Sequence, residues 1–283
     1  MYKDLDLQAF RKLPLVIEGE SKEIRYLGKG KVAIKLKPTI YSYTHNRCST
    51  IPGTDTLRLK TTKLLVEALQ KKGIKHAYTD FTDEFIIADL VLGTGKDRRF
   101  VPNDLTDTQL AKLHKAPPIE VVVKSRHVGT PKHRYYQFEE YPTRSDHPSF
   151  DELKIEQEST YPETVVRFDW RNPMYSKKGE RLADEVLSEQ MADWFINVQK
   201  AKRTAEQAYE IMRSFLAEKG IDLWDVCFFI TEDGSTLFGE VSQDCGRYRL
   251  FSTDDSLDKD VWRSGGSSKK VSEKWQQFYN KIQ

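Results

Sequence analysis

Cysteine is scarce in this chain: Cys48, Cys227 and Cys245 are the only three among 283 residues, far apart and without a CxxC pair. That excludes a disulfide framework and a thiolate zinc site, and it fits a reducing compartment. Long apolar runs are missing too, since none approaches the roughly 20 residues that a membrane-spanning helix needs. The opening stretch MYKDLDLQAFRKLPL has neither the basic head nor the apolar core of an export signal. A soluble cytoplasmic protein is expected. Net charge is nearly absent: 45 Lys and Arg against 43 Asp and Glu leave +2. So small a balance exerts no global pull on nucleic acid or anionic membrane, and the basic stretches lack interleaved aromatics. Anion recognition must therefore be local, and the expected partners are small molecules. No HxH, HExxH or GxSxG pattern occurs, so nothing points to a zinc hydrolase or a serine nucleophile elbow.

What is present reads as an α+β chain. Leu13 to Lys37 alternates as strands around a Gly28–Gly30 turn, with Val32, Ile34 and Leu36 on one face. Thr54 to Lys72 carries a helical apolar stripe, and Gly73 stands at its C-cap position. Strands are expected again at Ile74 to Tyr78 and Glu84 to Leu92, followed by a polar stretch to Pro118 that marks a lobe boundary, with a hinge near Ala116. Beyond it, Tyr141 to Thr160 reads as an irregular excursion and ETVVRFDW as a strand. The three-four spacing of Met191, Trp194, Phe195, Val198, Ala201, Ala205, Ala208, Met212 and Leu216 predicts one long helix from Ser188 to Gly220. Asp233-Gly234 predicts a hairpin between strands at Leu223 to Ile230 and Thr236 to Val241, and a final amphipathic helix carries Trp275, Phe278 and Ile282.

The segment Pro118 to Arg134, PIEVVVKSRHVGTPKHR, concentrates the chemistry. An apolar strand ends in Lys124 and Arg126 and runs into a Gly129-Thr130 turn with Lys132, His133 and Arg134 behind it. Two readings fit. One is a core strand leaving the interior through a solvated turn; the other is an anion seat of backbone N–H groups, a hydroxyl and converging cations.

The order P-x-E-x-V-V-[RK]-x-R-x-x-G-[ST]-x-x-x-R in that segment resembles the signature of SAICAR synthetases, the phosphoribosylaminoimidazole-succinocarboxamide synthases of purine synthesis. Glu240-Val241-Ser242-Gln243-Asp244-Cys245-Gly246-Arg247 is similar to that family's D-E-x-[ST]-P-D-S-S-R, and Asp258 to Arg263 to its D-K-x-x-[VF]-R. Gly19 to Arg25 resembles G-K-x-K-x-x-Y, with Lys22 on the second lysine, and Asp184 to Ser188 resembles D-E-N-I-S. The resemblance implies a two-lobed α+β fold, with a β-rich N-terminal lobe over residues 1–116, a larger α+β lobe over 117–283, and ATP bound between them. It implies Lys22 on the ATP phosphates, and Glu120 and Val122 near adenine, read by the Ile119 to Val122 backbone. Lys124, Arg126, Gly129, Thr130, Arg134, Ser242, Arg247, Lys259 and Arg263 are then the substrate-binding set. Asp225, Glu240 and Asp244 are the implied catalytic carboxylates, with Mg²⁺ on Glu240 and Asp225. The implied substrates are an azole ribonucleotide carboxylate such as CAIR (carboxyaminoimidazole ribotide) and aspartate or another amine, and a homo-oligomer is compatible with the family.

The departures cut the other way. Where the family reads D-x-K-x-E-F-G, this chain has Asp225 to Thr231 with Cys227 for lysine and Phe229 for glutamate, and the aspartate before Glu240 is Gly239. Two functions from different classes stay open: a ligase that holds Mg²⁺ with fewer protein carboxylates, and a nucleotide-binding relative without catalysis. Lys22, Glu120, Arg247 and Arg263 favour the first; Phe229 and Gly239 favour the second. With Glu240 as a metal ligand, Glu240→Gln is expected to stop turnover while leaving stability nearly unchanged.

Overall fold

The computed structural model describes residues 2, 4–42, 47–129, 146, 158–171, 174–180, 182 and 185–283. Two antiparallel five-stranded sheets organise them. The first runs in the order Leu15–Glu18, Lys22–Gly28, Lys31–Leu36, Ile86–Asp89, Tyr78–Phe81. Alternation along Lys31–Leu36 sends Val32, Ile34 and Leu36 towards Leu59 and Val66 of the helix Thr54–Lys71, while Ala33 faces Phe10 and Phe85 on the other side. Each such side chain, fully buried, contributes about 1.5–3 kcal/mol.

The second sheet is ordered Val186–Leu187, Thr160–Trp170, Ile119–Arg126, Ile221–Phe228, Gly246–Leu250. Ile119, Val121 and Val123 pack with Ala201, Ala205, Ala208 and Met212 of the helix Val198–Ala217. Their neighbours Glu120, Val122 and Lys124 therefore point to the opposite face, away from the core and into a cavity.

The helix Thr54–Lys71 ends as expected, with Gly73 at φ +87° and the Ile74 N–H donating to Leu69 O at 3.1 Å. This helix does not sit inside one lobe. Leu59 and Val66 belong to the N-terminal core, Leu65 and Leu69 to the C-terminal one. The terminal helix Ser268–Ile282 also spans cores, through Trp275 against Ile40 and Leu57 and through Phe278 in the larger cluster. Near Ala116, Lys115–Ala116 makes a short parallel pairing with Leu92–Gly93.

Two expectations need correction. The long helix from Ser188 is two helices, Glu189–Ala192 and Val198–Ala217. The Asn197 side chain caps the second by accepting from Lys200 N–H at 3.0 Å, and Asp193 accepts from Val198 N–H at 3.2 Å. The break leaves Trp194 71% exposed instead of on the core stripe. The hairpin turn at Asp233-Gly234 forms, with Thr231 N–H bonded to Thr236 O at 3.0 Å, but the strand expected from Thr236 to Val241 is reduced to bridges at Leu237.

Candidate functional site

A cavity of about 1370 Å³ lies between the sheets. Its floor is the outward face of the second sheet: Glu120, Val122 and Lys124 from the central strand, Arg167 and Asp169 from one neighbour, Asp225 and Cys227 from the other. Its roof is Lys22, Ile24, Val32 and Ile34 with the wall Leu90 to Gly95. Lys22, Glu120, Val122, Lys124, Gly129, Asp225, Glu240, Asp244, Arg247, Lys259 and Arg263 all reach this one space. Residues drawn from five segments of the sequence thus converge.

The C-terminal side is a lattice of charge pairs. Arg58, on the shared helix and fully buried, donates from Nε to Glu240 Oε1 at 2.7 Å and from its terminal nitrogen to Oε2 at 2.6 Å. It also donates to Lys37 O at 2.9 Å, and Ser242 Oγ donates to the same Glu240 carboxylate. Burial alone pulls an arginine down; the Glu240 charge and hydrogen bonds more than offset it and hold the guanidinium above its ordinary value. Arg247 donates to Asp225 Oδ2 at 2.5 Å and to Asp260 Oδ2 at 3.0 Å, and Arg249 and Arg263 share Asp260 at 2.8 and 2.6 Å. Lys259 pairs with Asp244 at 3.3 Å.

These pairings bear on the expected Mg²⁺ ligands, Glu240 and Asp225. Arg58 engages both oxygens of Glu240 and Arg247 engages Oδ2 of Asp225, so both carboxylates are charge-compensated before any ion arrives. Among the described residues no group of three or more His, Cys, Asp or Glu is arranged to hold a metal. An Mg²⁺ held by Glu240 or Asp225 would have to compete with these arginines for its ligands.

The position of the two missing carboxylates is filled. A Cβ placed on Gly239 would clash with Phe229 Cδ2 and fall 2.9 Å from Phe229 Cβ, so the ring in this position requires glycine at 239. Lys22 Nζ stands 5.8 Å from that ring's centroid, and burial lowers its pKa. His76 accepts from Tyr78 N–H at Nδ1, so its Nε2–H donates to Gly239 O at 3.0 Å; burial lowers its pKa to about 3, which keeps it neutral. Among the described residues, neither Lys22 nor the exposed Arg99 of the cavity wall has a carboxylate at ion-pair distance.

The remaining expected residues divide. Lys124 Nζ donates to Val128 O at 2.6 Å and so anchors the turn that carries Gly129, at φ +150°. Burial lowers its pKa to about 7, partly opposed by Asp225. Arg126 lies off the cavity, bonded to Asp222 at 2.8 Å with its guanidinium 4.9 Å from the Trp224 ring. Ser242 acts on Glu240 from behind the lining. Thr130, Arg134 and Asp184 lie outside the described residues. Within Ile119 to Val122, Val121 and Val122 are flanked by paired strands on both edges, whereas Ile119 and Glu120 pair on one edge only, so the backbone left to meet a ligand is that of Ile119 and Glu120. Cys227 Sγ faces Glu120 Oε2 at 3.4 Å, and burial raises the thiols of Cys227, well up, and Cys245, to about 12; neither is a ready thiolate.

Arg58 is the residue that sequence reading missed. A signal existed: an arginine inside the apolar run Leu57-Arg58-Leu59 is rarely buried unless paired.

Comparison with known proteins agrees with this architecture. The SAICAR synthetase family profile matches residues 15–282. The phosphoribosylaminoimidazole-succinocarboxamide synthase of Thermococcus kodakarensis is 25% identical over 88% of this chain and 89% of its own length. The bifunctional cordycepin biosynthesis cluster protein 3 of Cordyceps militaris is 26% identical over 96% of this chain, which spans 33% of that protein. Among solved structures, a SAICAR synthetase in complex with ADP superposes with a TM-score of 0.70 at 21% identity, covering 95% of this chain and 97% of its own. The Ehrlichia chaffeensis enzyme gives 0.71 at 19%, covering 95% and 98%.

Proposed function

The chain belongs to the SAICAR synthetase family, and from that membership we propose that it is an ATP-dependent carbon–nitrogen ligase joining an amine to a phosphoribosyl-azole carboxylate. The observation that carries this reading is the division of cations in one cavity. Lys22 and Arg99 face it without carboxylate partners among the described residues, whereas Arg247, Lys259 and Arg263 are pre-positioned by acids. The first set suits a nucleotide's phosphates, the second a substrate phosphate and carboxylate held in fixed geometry.

In this reading the azole carboxylate oxygen attacks the γ-phosphorus and ADP leaves with the bonding pair. The amine nitrogen then attacks the acyl carbon of the resulting acyl phosphate, inorganic phosphate departs, and the nitrogen loses a proton. A free carboxylate resists amines because its leaving group would be oxide; phosphorylation removes that obstacle, and the protein supplies position and charge. Glu240 and Asp225 act as positioning residues through Arg58 and Arg247. Lys259 holds Asp244 ionised: burial opposes the charge, but the Lys259 and Arg58 cations lower its pKa. Aspartate is the family's amine, and CAIR its azole.

A second reading, nucleotide binding without turnover, is favoured by Phe229 seated on Gly239 where the family's carboxylates are expected. Phosphate release with ATP, Mg²⁺, CAIR and aspartate, run beside panels of other azole nucleotides and amines, separates the two. Amine-dependent release supports the ligase; ADP binding with no release for any pair supports the second reading.

A further inference from the structure

Nucleotide enzymes that hold Mg²⁺ place one or two carboxylates beside the phosphates, which keep the ion while phosphate oxygens and waters complete its octahedron. The corner of this cavity near Lys22 is built otherwise. Phe229 presents a ring, Gly239 has no room for a side chain, and His76 is a neutral donor to Gly239 O. On the C-terminal wall, Glu240 is matched by Arg58 and Asp244 by Lys259. What remains there is the Lys22 ammonium above an aromatic face. A second cation beside it would meet the repulsion of the ammonium, and Phe229 and Gly239 offer it no side-chain oxygen.

Building on the nucleotide-binding reading above, we infer that this corner takes the nucleotide as its metal-free anion, with Lys22 in the place of a protein-held divalent ion and the Phe229–Gly239 pair excluding that ion. The substitutions at 229 and 239 are then one change. Glycine makes room for the ring, and the ring removes both the ligand and the space for one. The lysine keeps the charge compensation. The ammonium carries three donors, and those not turned to the ring can meet phosphate oxygens.

ADP binding measured by calorimetry in EDTA and in excess Mg²⁺ tests this. The native protein is expected to bind ADP with affinities within about threefold in the two buffers. Lys22→Met should lose about tenfold or more in both. Phe229→Leu, which keeps an apolar wall, should remain metal-independent, and Phe229→Glu with Gly239→Asp should bind ADP more tightly in Mg²⁺ than in EDTA. A loss of about tenfold for the native protein on removing Mg²⁺ overturns the inference while leaving nucleotide binding intact. Unchanged ADP affinity in Lys22→Met overturns Lys22's part in it. Absence of ADP binding in both buffers overturns the inference together with the reading it rests on.

Discussion

The two walls of the cavity handle charge in opposite ways. On the C-terminal side, Arg247, Arg249 and Arg263 converge on Asp260, and Arg58 closes on Glu240. On the N-terminal side Lys22 faces a ring. Burying a charge is costly unless it is paired, so the first wall is part of the fold's own stability, and its geometry exists before any ligand arrives. Lys22 has no partner of that kind among the described residues, and it gains one only when an anion enters. Function is thus separable from stability on one wall and fused with it on the other.

The largest expected effect comes from breaking the fused wall. Arg58→Met should destabilise the protein by about 3–5 kcal/mol, because Glu240 is left as an uncompensated buried carboxylate. Urea denaturation measures it. Glu240→Gln must now be expected to lose stability as well, since it strands the Arg58 cation, which reverses what the sequence alone implied for that variant. Arg58→Met combined with Glu240→Leu should recover much of the loss; failure to recover would mean that the pair does more than neutralise itself.

Arg247→Ala comes next. It removes one of three arginines on Asp260 and the partner of Asp225, and should lower kcat/KM for the azole nucleotide by about 2–3 kcal/mol, or roughly 30- to 150-fold. ADP affinity should change far less. Equal losses for both ligands would erase the distinction between the walls.

Much of this was legible in the primary structure, for a physical reason. Period-two strands and a capped helix announce themselves locally, and the segments around Lys124, Glu240 and Lys259 hold their order and spacing. Pairing does not announce itself. Arg58 and Glu240 are distant in sequence, and nothing local says which acid a buried arginine will find. The same holds for Gly239 and Phe229, two separate losses when read along the chain and one packed unit in space. The helix break at Asp193–Asn197 was missed because apolar spacing continued through two residues whose side chains cap a new helix.

On the unfused wall, Lys22→Ala should weaken nucleotide binding by about 1–3 kcal/mol and leave the urea midpoint nearly unchanged. A Lys22 variant that unfolds more readily than the native protein would show that this lysine is structural too.

The smallest effect is a pH slope. Lys124 is buried on the floor, and that burial brings its pKa to about 7 despite the opposing pull of Asp225. Its value in the unfolded chain is about 10.4. Between those limits the unfolded state binds the extra proton, so the lysine's contribution to stability rises with pH across that window and is flat above it. An anionic ligand beside Lys124 favours the charged form, so binding above pH 7 must take up a proton. Azole-nucleotide affinity should therefore fall as pH rises from 7 towards 9, by up to about tenfold per unit if the contact is complete. Calorimetry in buffers of different ionisation enthalpy reads that uptake directly. Lys124→Met should abolish it and flatten the affinity profile. Proton uptake of the same size in the variant would place the titrating group elsewhere and leave Lys124 as a prop for the Val128 carbonyl alone.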